Sequence, residues 1–540
     1  MTDSRWWDRT ERLGADLVWL AVLDWPNAPT YLAQDHIEAP DPDSGATVAY
    51  AGGLGEVEWS EEVALWDASP QSRGATFALH LDEVTGPPAL IAAGHNLHGA
   101  RFRLYRHIRG TSRMVLYIDG RVQDFVYGDP SQPSLISVNV ESNPWEDGAT
   151  THDPDERITT ASWSGANERV QGEAYPFVFG RPGFLGVNPA TPALPIKSDV
   201  VLVSTGKTIA DKVDIYDKDR NRRIGCDLIQ EADGNGRIVS TADVTTGAGT
   251  AITWADDEVF YARFAAYTAA RPGTLTDLNQ APITTAGDLL EWAVNRTAGG
   301  WDRAGVSSAA RLLDGFRVDG AIMPPADRLL TIWEWLSGTL LPLLPVSLVW
   351  SPSGASLKVW RWDDFQPLAT IVEGRDAHRF GSVRIGRIDS LYNEHRLNYR
   401  RDADVGDSVK AVVMAGSDEA ASRETGAVLN RKCEVSQTRY RTRDGRRLVR
   451  RNEVTTAIVE DDATARAAVR WWAEAQALPL SRVTLDAEGY WGWLRVGDEV
   501  AYTDATLGWT ERRAVLSSIT YRDDGALTWT LAVFDRAHTS

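Results

Sequence analysis

The stretch EADGNGRIVSTADVTTG, residues 231–247, carries two incompatible signals. Its first half, Glu231 to Ile238, has the acid and amide spacing that begins a calcium loop. Its second half, Thr241-Ala242-Asp243-Val244, reads as a strand leaving a tight turn. A calcium loop needs oxygen ligands at positions 1, 3, 5 and 12, the last a bidentate carboxylate, with glycine at 6. Counted from Glu231, the residues Asp233, Asn235, Gly236 and Ile238 fit, but position 12 is Ala242 and the nearest acid, Asp243, is one residue late. No helical flanks are predicted. The stretch therefore reads as an Asp/Asn-Gly turn between two strands. DKDRNRRIGCDL, from Asp217, fails the same test, with Arg222 in the glycine position and Leu228 in the carboxylate position.

Other short motifs fail as well. STGKT (204–208) ends like a phosphate-binding loop, but Val201 stands where the motif needs its first glycine. His95 and His98 lie in a glycine-flanked loop with no third ligand nearby, so they read as turn or surface histidines. Neither a G-x-S-x-G elbow nor an H-E-x-x-H helix is present. Paired carboxylates are too common in this acidic chain to identify a glycosidase. Cys226 and Cys433 are the only cysteines, too few for a disulfide framework, an iron–sulfur cluster or a four-cysteine zinc site. No catalytic, cofactor-binding or metal-ligating residue is expected, and no cofactor.

With 540 residues, 43% apolar and 24% charged, the chain is long enough for three or four folded domains and too apolar to be mostly disordered. The charged start MTDSRWWDRTERLG lacks the apolar core of a signal peptide, so synthesis in a cytoplasm is expected. LSGTLLPLLPVSLVW (336–350) is too short and too proline-broken to span a membrane, and reads as a helix end running into a buried strand. The formal charge of −19 is uneven: residues 1–90 hold 16 acids against 4 arginines, whereas residues 431–451 hold 9 basic residues against 2 acids. An acidic surface repels phosphates, so nucleic-acid binding would rest on that one basic stretch. Its RYRTRDGRRLVRR alternates around Asp444-Gly445 and reads as a solvated hairpin or protein-contact face.

Residues 15–185 alternate short apolar runs with Gly, Pro, Asp and Asn, the pattern of an antiparallel barrel or sandwich. A proline-rich connection follows near 180–200, then further strands. TTAGDLLEWAVNRTAGG opens a helix on Thr284 or Thr285 with Leu289, Leu290, Ala293 and Val294 on one stripe. PPADRLLTIWEWLSG predicts a helix starting at proline, with Leu329, Ile332, Trp333 and Leu336 inward. A last helix is expected over 461–478, capped by its aspartates. The fold class is mainly β with a mixed α/β middle, multidomain, with tube-like antiparallel barrels at both ends. The expected division is 1–190, 191–380 and 381–540. Trp66, Trp254, Trp292, Trp333, Trp360 and Trp472, six of the 22 tryptophans, sit inside apolar runs and read as core or interface anchors.

VDIYD (213–217), GRIVSTADVTTG (236–247) and YPFVFGRPGFLGVNP (175–189), followed by TAGDLLEWAVNRTAG, LPLSRVTLDAEGYWGWLRVGDEVAYTD and TWTLAVFD, together resemble the trimeric tail-hub or baseplate-hub proteins of long-tailed bacteriophages and phage-like particles. The resemblance runs in order through most of 175–540. It implies two tube-like β domains per subunit, a pseudo-sixfold ring as a homotrimer, and a structural role joining a sixfold tail tube to a threefold tip. The implied partners are the distal tail protein, the tape measure and tail-tip or fibre proteins, with genomic DNA present only in transit and the virion tail tip as location. No enzymatic reaction is implied. The chain departs from some hubs in lacking a long hydrolase-like or fibre-like extension and a cluster-binding cysteine set. An acidic channel wall would keep DNA moving, with Glu56, Glu58, Glu61 and Glu62 as its residues, while 431–451 would face an acidic protein neighbour. The alternatives are a tail-tip carbohydrate-binding or glycan-degrading module, with tryptophans and acids in one groove, and a calcium-binding protein.

Overall fold

The computed structural model describes residues 17–24, 29–65, 73–80, 97–127, 135–142, 148–183, 191–206, 212–217, 222–244, 260–263, 283–297, 299–351, 354–362, 365–386, 391–402, 407–416, 428–488, 491–522 and 526–535. The stretch 231–247 folds as strand, turn, strand as far as Val244. Arg222–Ala232 pairs antiparallel with Ile238–Asp243, Ala232 facing Ile238, which leaves 233–237 as the turn. On its other edge Ile238–Asp243 pairs with Val200–Thr205. Pro192–Pro195, Lys212–Asp217 and Phe260–Arg263 complete a closed six-stranded antiparallel barrel. Closure removes every free edge. Side-chain alternation sends Val201, Val203 and Ala242 into one core and Leu202 and Val239 into another, beside Trp163 and Tyr175.

A helical unit packs on the first of these cores. Helix α1 (Ala286–Asn295) starts at Thr285, whose hydroxyl accepts the Asp288 N–H while the Asp288 carboxylate accepts the Thr285 N–H. This reciprocal cap is worth about 1 kcal/mol. Leu289, Leu290, Ala293 and Val294 are buried, as their spacing predicts. Helix α2 (Arg303–Leu312) follows, capped by Asp302. The next helix departs from expectation: α3 (Ile332–Trp335) begins only after Thr331, not at the prolines. Thr331 and Glu334 form a second reciprocal cap that fixes the start there. Trp335 is buried and Trp333 only partly so, and the segment widens and tightens through Leu343 before entering the strand Val346–Ser351.

A four-stranded sheet, Val428–Leu429, Asp407–Ala415, Glu394–Asp402 and Arg451–Thr455, carries α5 (Asp462–Gln476) on one face. Between its strands lies α4 (Arg431–Arg439), capped by Asn430. The basic stretch is thus helix first, then a short turn. Thr442 to Arg446 close that turn around Gly445, at φ 80°, with only Arg441 and Arg447 bridged across it. The hairpin read from the alternation stops there because Arg451–Thr455 pairs in parallel with Glu394–Asp402 instead.

The chain is mainly β and multidomain. Towards its start, Pro29–Ala33, Leu17–Asp24, Arg101–Ile108, Met114–Tyr127, Leu135–Ser142 and Arg73–His80 form a six-stranded sheet in that order. Towards its end, Ala369–Val372, Glu499–Asp504, Trp509–Tyr521, Leu527–Val533, Ser481–Ala487 and Ala377–Arg379 form another. The early strand Trp59–Glu62 belongs to the later sheet, pairing with residues 518–521 of Trp509–Tyr521. It occupies the edge that Glu499–Asp504, paired with residues 509–515, leaves open. The inward faces of both sheets make one core, with Trp19, Phe77, Phe102 and Val138 from the first and Leu485, Leu516, Trp529 and Leu531 from the second.

Candidate functional site

The seam between the end sheets holds the acidic stretch GEVEWSEEVALWD. Alternation through the strand buries Val57, Trp59, Glu61 and Val63 and exposes Glu56, Glu58 and Glu62. Glu61 is therefore corrected: it is 3% exposed and does not belong to an outward wall of four glutamates. It lies near Arg495, whose guanidinium sits 4.5 Å from the Tyr117 ring centre and donates to the Tyr521 hydroxyl at 3.2 Å. Burial works against the Arg495 charge, yet Tyr521, Tyr117 and Glu61 around it hold its pKa above the ordinary guanidinium value. Trp59 stacks on Tyr521 at 4.4 Å, and Tyr117 meets both rings edge-on. Residues from both ends of the chain thus surround one part-buried cation.

The turn at 233–237 engages its oxygens internally. The Asp233 carboxylate accepts the N–H groups of Asn235 and Arg237, both at 2.9 Å, and the Tyr175 hydroxyl at 2.8 Å. Trp163 donates to the same tyrosine oxygen at 3.2 Å. Gly234 has no room for a side chain, since a Cβ there would lie 2.1 Å from the Ala161 carbonyl oxygen. The turn is pinned to the 157–175 segment, and Ala242, at the twelfth loop position, is a buried strand residue. No group of three or more His, Cys, Asp or Glu among the described residues is placed to hold a metal.

The remaining candidates scatter. His95, Lys207, Thr208, Trp66 and Trp254 lie outside the described residues; His98 is exposed beside the Phe125 ring. Trp292, Trp360 and Trp472 are buried in the helical core. Cys226 and Cys433 are buried thiols, each pushed by burial to a pKa of about 12, where they stay protonated. In the basic stretch, Arg439 pairs with Asp535, Arg451 with Glu394 and buried Lys432 with Glu474. Arg443, Arg446 and Arg447 are exposed. Among the described residues no helix is long and apolar enough to cross a membrane.

One pocket, of about 810 Å³, escaped the sequence reading. It lies where the end of α2, the strand exit Val359–Trp362, the four-stranded sheet and α5 converge. Ala463, Arg466, Ala467 and Arg470 form one stripe of α5 along it, and Arg311 and Arg361 come from the other elements. These four arginines are exposed, whereas Trp360, Met414 and Trp471 beneath them are buried. Trp362 stacks on Trp471 and has Lys432 and Arg513 within 5.3 Å of its ring centre. Among the described residues no Asp or Glu lines the pocket, and none pairs with Arg311, Arg466 or Arg470. The A-R-A-A-V-R spacing on a capped helix was its one sequence signal.

No family model matches the chain, and no curated protein matches it. Among solved structures, it is similar to the tail protein of prophage MuSo2 from Shewanella oneidensis, with 9% identity and a TM-score of 0.35 over 97% of this chain and 99% of that one. It is also similar to a prophage tail protein from Listeria monocytogenes, with 10% identity and a TM-score of 0.37 over 95% and 94%. A chain of a native gene transfer agent virion is 16% identical, with a TM-score of 0.37 over 74% of this chain and 92% of that one. Overlap of this degree leaves function to be argued from the chain's own residues.

Proposed function

We propose that the chain is a structural subunit of a phage-type tail tip, a hub that assembles as a homotrimer and joins a sixfold tube to a threefold tip. The observation that carries this reading is the core shared by the two end sheets. Each chain brings two β units, locked side by side by Trp59–Glu62, so three chains would set six such units in a ring. The ordered motifs from YPFVFG to TWTLAVFD support the same reading. In it, 1–190 and 381–540 supply the tube-like units, with Trp59–Glu62 crossing between them and Ala369–Val372 and Ala377–Arg379 joining the second, and the rest of 191–380 lies outside. The distal tail protein, tape measure and tip proteins are the neighbours, and DNA passes through without being held. Glu56, Glu58 and Glu62 remain candidates for an acidic wall, while the exposed arginines of 431–451 face protein. No reaction is assigned. Gold-labelled antibody against this chain should mark one end of the tail in particles; labelling along the tube or on the head would overturn the proposal.

A further inference from the structure

We infer that the arginine-rimmed pocket beside α5 is a docking site for an acidic peptide segment bearing an apolar anchor, contributed by a partner protein. The inference goes beyond the hub reading and does not depend on it. The rim presents four guanidinium groups, of which those of Arg311, Arg466 and Arg470 pair with no described carboxylate, in a chain whose net charge is −19. A positive rim on an acidic molecule selects an acidic partner. Arginine forks suit carboxylates, which they bind through paired N–H bonds.

The floor defines the rest of the ligand. Trp360 and Trp471 are only 2% and 4% exposed, so they offer apolar walls rather than open ring faces. The Trp362 ring already has Lys432, Arg513 and Trp471 around it. Base stacking, on which single-stranded nucleic acid depends, therefore finds no free platform there. A volume of about 810 Å³ suits a few side chains, not an extended polyanion. An aliphatic or aromatic anchor over Met414, flanked by carboxylates reaching Arg311, Arg466 and Arg470, satisfies both rim and floor.

The test uses the full chain and a short fluorescein-labelled peptide with glutamates on either side of a Leu-Trp pair. The comparators are the same peptide with glutamines for glutamates and a short oligo-dT. Saturable, salt-sensitive binding of the acidic peptide is expected, weakened about tenfold in the Arg466→Gln/Arg470→Gln double variant. Glutamine is a good helix former, so α5 and the melting temperature should hold. Arg311→Gln, on a different helix, should weaken binding severalfold and guards against a local effect on α5. The proposal falls if nothing saturates, if both variants bind as the parent does, if the glutamine peptide binds equally well, or if oligo-dT binds more tightly.

Discussion

The barrel at 192–263 and the seam between the end sheets are both all-β, yet they are specified in opposite ways. The barrel is built from strands close together in sequence, and its turn is fixed by Asp233, Tyr175 and Trp163 through neutral and charge-assisted hydrogen bonds. The seam is built from Trp59–Glu62, Tyr117, Arg495 and Tyr521, gathered from both ends of the chain around a part-buried charge. Local specification makes an element legible and separable. Long-range specification makes the two ends of the chain one cooperative unit.

The strongest way to break this contrast is to remove the seam cation. Arg495→Ala should cost up to about 3 kcal/mol, because it removes the guanidinium that lies on the Tyr117 ring and donates to the Tyr521 hydroxyl near buried Glu61. Denaturant melts followed by tryptophan fluorescence measure this, and a Glu61→Gln change in the same background should recover part of the loss. Additive effects of the two changes would show that they are not coupled. Both end sheets should lose hydrogen-exchange protection together in Arg495→Ala while barrel amides keep theirs.

Acid should act with opposite sign on the two regions. His152, on the barrel side, donates its Nε2–H to the Tyr175 carbonyl oxygen at 2.7 Å, and burial lowers its pKa to about 4. His395, beside Trp472, is lowered to about 4 by the same cause. Between their unfolded values and pH 4 the unfolded chain binds the extra protons, so each histidine should remove on the order of 3 kcal/mol as pH falls from 7 to 4. Asp498, near the seam, is raised to about 6 by burial. As pH falls through 6 the folded form takes up that proton first, which favours the end sheets. Hydrogen exchange at successive pH values should show the barrel opening before the end sheets, and His152→Gln should flatten the barrel's dependence.

A smaller effect sharpens the turn. Asp233→Ala should cost about 1–3 kcal/mol, since it strands two amides and the Tyr175 hydroxyl. Calcium should leave the melting temperature of the parent and the variant unchanged; a calcium-dependent rise in the parent alone would return the loop to a metal site. Smallest of all, Glu62→Lys on the exposed face should change stability by less than about 0.5 kcal/mol.

These regions also separate what the sequence discloses from what it hides. The turn's own Asp233 bonds to Asn235 and Arg237, the cap at Thr285 and α5 each rest on residues within a few positions of one another, and each is legible, whereas Tyr175 and Trp163 reach the turn only through the fold. The Thr331-x-x-Glu334 cap was equally local but was masked by prolines that looked like a helix start. Glu61 was legible in principle, since Val57, Trp59 and Val63 share its face, but its charge suggested the outside. Arg495, with Tyr117 and Tyr521 around it, could not be placed near Glu61 without knowing which strand takes the open edge of Trp509–Tyr521. The pocket was hidden for the same reason: Arg311, Arg361 and Arg466 come from three elements that only the fold brings together.

In the proposed hub, two linked β units per chain are placed around a common axis. A reconstruction of the tail tip from intact particles tests it most directly. The expected map has three copies of the chain, their six- and eight-stranded sheets alternating as six units around the channel, with Glu56, Glu58 and Glu62 nearer the bore than the arginines of 431–451. A single copy, or copies whose end sheets lie away from the channel, would contradict it.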